Sequence, residues 1–290
     1  MFKKILVCVD PYPPDNNLIS YAVFLKKLGA EEAILAHVIV DAPPGLDEML
    51  INQARPELER QKKILEEAGF KTSIEIPAGI PARALNDLAE RKDVSVIIIS
   101  THGRGLIESM ILASSPLGNV SAKLLHTTRR PLLLIPGTLP ALEAGRELPD
   151  LFSHILYPTD FSDTAEIAFA YLETVVRATN CPATLLHVQD RSRPAPHLSH
   201  RLKELQNLDG LRLQRLQVWL KGLGTSDVRI DLAQGSPEVE IIKRAKAEGC
   251  SLILMGTQGK SITREILLGS VAHHVARHAA QPVLFIPALP

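Results

Sequence analysis

The chain has 290 residues, enough for two α/β domains of ordinary size rather than one. Apolar residues make up 46% and charged residues 22%, the balance of a soluble globular protein. Lys+Arg and Asp+Glu cancel at 32 each, so no basic excess exists to hold a nucleic-acid backbone, and that class of partner is not expected.

The first apolar run, Ile5 to Val9, is too short for a signal-peptide core or a membrane span, and the chain reads as cytoplasmic. It ends at Asp10-Pro11. Asn16 or Asn17 then caps a helix carrying Leu18, Tyr21, Ala22, Leu25 and Leu28 on one face, and Gly29 ends it. Ala33 to Val40 reads as a second strand. A long charged amphipathic helix follows Pro43-Pro44-Gly45 and runs to about Ala68. Thr72 to Ile76 is a third strand, Pro81 to Arg91 a helix, and Val94 to Ile99 a fourth strand. A loop from Ser100 leads to a helix near Gly118, and Leu132 to Ile135 is the fifth strand.

The pattern then restarts. Ile155 to Asp160 mirrors Ile5 to Asp10, and His187-Val188 mirrors His37-Val38, both at an offset of 150. The run Ser251–Met255 answers Ser95–Ile99 at 156, and Pro282 to Pro287 answers Pro131 to Pro136. This is a duplicated domain of about half the chain. The expected domains are 1–138 and 153–290, with 139–152 as linker.

Each half alternates strand and helix, and its strands are continuous apolar runs. That pattern predicts two tandem open five-stranded parallel sheets with helices on both faces. Duplication suggests a pseudo-two-fold relation between them. Ligands of such sheets sit beyond the C-terminal strand ends, where the strand order reverses. Asp160, Val188 and Gly256 all follow or end strands at that edge.

The most informative stretch lies there. After Ser251–Met255 come Gly256 and Gly259, then nine residues, then Gly269-Ser270 at the start of a helical pattern. Glycines allow positive φ and close approach of an anion to backbone N–H groups, and a helix N-terminus attracts the same anion. Lys260 and Arg264 lie in this loop, where solvated charge is the commoner role. Asp160 can equally form an Asx-turn, Ser270 can cap its helix, and His187 reads as a packed strand-end residue. The helix from Leu202 to Leu220, Trp219 included, reads as presenting a core face. Cys8, Cys181 and Cys250 have no metal-ligand spacing, nor do the histidines, so no metal is expected.

On these residues the chain resembles a tandem universal stress protein. The resemblance rests on Pro158-Thr159-Asp160-Phe161-Ser162, on Leu185-Leu186-His187-Val188, and on Gly-x2-Gly-x9-Gly-Ser from Gly256 to Ser270. It implies a fold like that of the adenine-nucleotide alpha hydrolases and a bound ATP, with magnesium. Carried over by position, the implied binding residues are Pro158, Asp160, Val188, Gly256, Gly259, Gly269 and Ser270. Asp160 would lie by the ribose, the backbone near Val188 by the adenine, and the glycines and Ser270 by the phosphates.

The first half departs from that pattern. Ser100 replaces the first glycine, fourteen residues separate Gly103 from Gly118, and Asn119 replaces the serine. Nucleotide is therefore expected in the second half alone. No nucleophile–base–orienter set is visible, so the activity expected is at most that of a slow ATPase. The leading function is an ATP-binding stress or regulatory protein, with a homo-oligomer or an unidentified protein as partner. The alternative is a nucleotide-free interaction or scaffolding protein.

Overall fold

The structure, a computed structural model, describes residues 1–11, 16–40, 46–101, 117–137, 148–190, 202–225, 227–259 and 268–288, and for 202–206 the backbone alone. It divides into two units, Met1–Leu148 and Pro149–Pro290.

In the first unit, β-branched and leucine-rich runs form β1 (Lys4–Cys8), β2 (Glu32–Ala36), β3 (Lys71–Glu75), β4 (Val96–Ser100) and β5 (Leu132–Ile135). They pair in parallel in the order β3-β2-β1-β4-β5. The central strands are covered on both faces: Ile5, Leu6, Val7, Ile97 and Ile98 are all fully buried. Each such side chain contributes about 1.5–3 kcal/mol. The crossovers are α1 (Asn16–Phe24), α2 (Asp47–Glu67), α3 (Pro81–Arg91) and α4 (Asn119–Thr127). A short 3₁₀ turn, Leu25–Leu28, completes α1 and stops at Gly29, where φ is 83°.

The second unit repeats the plan. Its strands are β6 (Ile155–Pro158), β7 (Ala183–Gln189), β8 (Val228–Gln234), β9 (Leu252–Gly256) and β10 (Val283–Ile286). Their order is β8-β7-β6-β9-β10, all parallel. The helices are α5 (Asp163–Thr179), α6 (Leu202–Gly222), α7 (Pro237–Ala247) and α8 (Ser270–His278). Both sheets match the expected open parallel architecture. In each, the strand order reverses beside the first strand, between β1 and β4 and between β6 and β9.

One expectation fails on α6. Leu213 and Leu220 are buried, but Leu208, Leu211, Val218 and Trp219 are each more than half exposed. The helix carries more apolar residues than its core face uses. Cys8, Cys181 and Cys250 are buried and unbridged.

Candidate nucleotide-binding crevice

The exit of β6 forms one wall of the crevice. Thr159 continues the ladder, its N–H donating to Leu186 O at 2.8 Å. The chain then turns away from the sheet. Phe161 takes a left-handed φ of 58°, held by its N–H on Thr159 Oγ1 at 3.0 Å. Asp160 Oδ1 accepts the Ser162 N–H at 3.1 Å, so the Asx-turn is real. Ser162 caps α5 by accepting from Ala165 N–H at 3.3 Å. The buried Tyr157 hydroxyl donates to Ala165 O at 2.5 Å. Burial pushes this phenol well above its ordinary value, so it stays a neutral donor and pins α5 to β6.

The exit of β9 forms the opposite wall. A Cβ built on Gly256 would stand 2.8 Å from Thr164 Cγ2 and 3.2 Å from Thr164 O. A Cβ on Gly259 would stand 2.7 Å from Asp160 Oδ2. Gly256 is thus required by its close approach to the Thr164 backbone of α5, while at Gly259 a side chain would have to displace the Asp160 carboxylate. The expectation of positive φ is corrected here. Neither Gly256 nor Gly259 has a left-handed φ, and Gly269 is extended at φ −79°, ψ 156°. The bare backbone matters for the space it leaves, not for a strained turn.

Gly269 is the residue at which α8 is capped, and its N–H donates to Thr257 O at 2.7 Å. No side chain caps α8. Ser270, expected as a cap, is instead the exposed first residue of the helix. The leading N–H groups of α8 therefore have no side-chain acceptor from the cap, which is the condition for anion binding. On the floor below, the buried Thr257 Oγ1 has no hydrogen-bond partner. Lys260 and Arg264 lie outside the described residues.

The third wall is β7, which runs past the last β6 pair, Pro158↔Leu186, to Gln189. Val188 pairs with Ala233 of β8 and has no β6 residue opposite it. His187 is buried, and its Nδ1 donates to Thr159 O at 2.7 Å, the strand-end role expected of it. Its Nε2 lies 3.4 Å from Asp209 Oδ2. Asp209 also accepts from Gln189 Nε2 at 3.0 Å and pairs with Arg212 at 3.6 Å. The Arg212 guanidinium sits 5.2 Å from the centre of the Phe161 ring, which in turn lies 4.7 Å from the His187 ring. Sequence reasoning missed Asp209, Arg212, Gln189 and Phe161. The only signal was a charged pair three apart on a helix assigned wholly to packing.

The first unit keeps the frame of this site without its openness. His37 Nδ1 meets Val9 O at 3.2 Å, and Gly118 N–H donates to Thr101 O at 2.6 Å. Ser100 stands in place of Gly256, buried and with its Oγ unpartnered. Thr101 Oγ1, unlike that of Thr257, is taken by Gly137 N–H at 2.8 Å. Gly103 and the residues as far as Pro116 lie outside the described residues.

Comparison with known proteins meets this geometry from another side. The profile of the universal stress protein family matches residues 1–136 and again 151–287. A universal stress protein of Methanocaldococcus jannaschii is 31% identical over 155 residues, 47% of this chain and 95% of its own length. One from Mycolicibacterium smegmatis is 25% identical over 297 residues, covering 97% of this chain and 96% of that protein. The crystal structure of a universal stress protein from Archaeoglobus fulgidus superposes with a TM-score of 0.69 at 22% identity, over 97% and 95% of the two chains. That likeness shows the fold. Among the described residues, no helix is long and apolar enough to cross a membrane.

Proposed function

We propose, for a chain that belongs to the universal stress protein family in both of its halves, that the second unit binds ATP with magnesium and the first does not. The observation that carries this reading is the bare backbone at Gly259, 2.7 Å from Asp160 as a Cβ would measure it. Any side chain there would close the space between the two strand exits. The unpartnered Thr257 hydroxyl and the uncapped start of α8 support it, since both are polar groups with capacity to spare.

In this reading the α8 N-terminus and the backbone from Gly256 to Gly259 take the phosphates. Asp160 accepts from ribose hydroxyls, and the backbone of β7 at Val188 receives the adenine edge. Magnesium, when bound, would neutralise phosphate charge. Among the described residues no carboxylate–nucleophile pair is arranged for efficient hydrolysis, so the nucleotide acts as a regulatory ligand that favours one conformation or assembly. A nucleotide-free docking role draws on one observation, the exposed apolar residues of α6.

The test is to denature freshly purified full-length protein and measure the released small molecules by mass spectrometry. One adenine nucleotide per chain is expected. Protein that releases none, and shows no heat of binding with Mg·ATP, would leave the docking role standing instead.

A further inference from the structure

At the end of the second unit opposite the crevice, segments far apart in sequence bring an imidazole, a thiol and a carboxylate together. His154 immediately precedes β6, Thr184 is the second residue of β7, and Glu248 and Cys250 lie between α7 and β9. One donor atom each from His154, Glu248 and Cys250 lies within 4.8 Å of the other two. Cys250 is buried, while His154 and Glu248 are part-buried and give access from solvent.

Counting protons shows what the cluster lacks. The Thr184 hydroxyl has one proton and donates it to Glu248 Oε2 at 2.7 Å. His154 Nε2, 3.0 Å from Thr184 Oγ1, must therefore donate to it. A neutral imidazole then has only a lone pair at Nδ1. That lone pair faces the Glu248 carbonyl oxygen at 3.3 Å, which can only accept, and Cys250 Sγ at 3.9 Å. Against the carbonyl the lone pair has no donor, so Nδ1 is served only by the Cys250 S–H, by a proton of its own, or by a metal ion held together with that thiol.

The first unit has a cation built in. Lys4 stands where His154 does, at the repeat offset of 150. Its ammonium donates to Lys92 O at 3.2 Å, the counterpart of Glu248 O, and pairs with Glu32 at 3.4 Å. The second unit has an imidazole in its place, with a thiol and a carboxylate beside it. We propose that His154 Nδ1, Cys250 Sγ and the Glu248 carboxylate bind a thiophilic divalent cation of the zinc class.

The dimensions suit it. Nitrogen and sulfur ligands on a tetrahedral zinc lie about 3.6 Å apart, given Zn–N and Zn–S bonds of about 2.05 and 2.3 Å. The observed 3.9 Å between Nδ1 and Sγ needs only a small contraction, while the Glu248 carboxylate, 3.8 Å from Nε2, has to swing toward Nδ1 to join them. Thr184 holds the remote ring nitrogen, which orients the imidazole as an outer partner does in such sites. The Glu248 carbonyl is at hand as a further oxygen donor. Burial, with Glu248 adding to it, pushes the Cys250 thiol up to about 12. No spacing rule could have found this site, because His154 lies 94 residues from Glu248.

The test uses the full chain, stripped with chelator and titrated with Co²⁺. We expect a near-ultraviolet thiolate-to-cobalt charge-transfer band that saturates at one metal per chain and is bleached by one equivalent of Zn²⁺. Cys250→Ser should abolish the band, and His154→Gln or Glu248→Gln should weaken cobalt binding at least tenfold. The Cys8→Ser/Cys181→Ser double variant should retain it. Circular dichroism checks the fold of each variant. X-ray absorption of the zinc-loaded wild type needs no substitution and should show one sulfur neighbour. Absence of the band and of the sulfur shell overturns the proposal. So does a band that survives Cys250→Ser, or metal held without sulfur, as at the stacked His274–His278 pair.

Discussion

The exits of β4 and β9 occupy the same station in two copies of one fold, and they treat it differently. β9 leaves through Gly256 and keeps a buried threonine hydroxyl without a protein partner. β4 leaves through Ser100, and the matching threonine hydroxyl is claimed by Gly137 N–H. Hydrogen bonds common to both, such as Gly118 to Thr101 and Gly269 to Thr257, hold the chain path. The frame of the exit is thus kept in both units, while its bare backbone and its open hydroxyl are kept in one. The first unit retains the frame, puts the unpartnered Ser100 hydroxyl where the second has bare backbone, and ties up the threonine hydroxyl that the second leaves open.

The largest effect should come from Gly259→Val in the full chain. We expect Mg·ATP affinity to fall a hundredfold or more, since losing two hydrogen bonds to charged oxygens costs about 3–6 kcal/mol. The fold should survive, because the new side chain meets the end of Asp160, which can rotate away. Calorimetric titration of the folded variant decides it; wild-type affinity would mean that the glycine serves the chain path alone. Gly256→Ala sharpens the contrast. Its Cβ meets the Thr164 backbone, so this change should lower stability by about 1–3 kcal/mol.

A smaller difference should separate the two threonines. Thr101→Val strands the Gly137 N–H and should cost about 1–2 kcal/mol in urea unfolding. Thr257→Val removes a hydroxyl with no partner and should be neutral or stabilising by up to about 1 kcal/mol. Equal losses would break the distinction between a satisfied exit and an open one.

The smallest effect is on pH dependence. Burial, with His278 and Arg277 adding to it, holds His274 below its ordinary value of 6.5. The unfolded chain then binds this proton more readily than the folded one. Its contribution to stability is therefore intact above about pH 6.5 and is lost as pH falls through the depressed folded value. The first unit carries Lys123 at this station of α4. His274→Asn should flatten the pH slope of unfolding below neutrality, and an unchanged slope would place its origin elsewhere.

Most of the fold was legible because apolar runs with proline and glycine punctuation have few alternative readings. Leu132–Ile135 and Pro81–Arg91 fall where the pattern put them. The positions of Gly256, Gly259 and Gly269 were legible too, but not the reason for glycine. Spacing cannot distinguish a left-handed turn from a close approach, since that depends on Thr164 of α5 and Asp160 of the turn after β6 lying alongside. Asp209 and Arg212 stayed hidden for a related reason. Their value lies in where α6 crosses the end of β7, and a helical pattern carries no record of that crossing.

The fit of Gly259 against Asp160 has a mechanical consequence. Between the two strand exits the bare backbone of Gly259 faces the Asp160 carboxylate directly, so a phosphate bound there would act on that carboxylate first. That carboxylate holds the Ser162 N–H, and Ser162 holds the first turn of α5. With the proposed nucleotide bound, occupancy would pass as a tug on that helix cap, and α5 would be the first element to feel it.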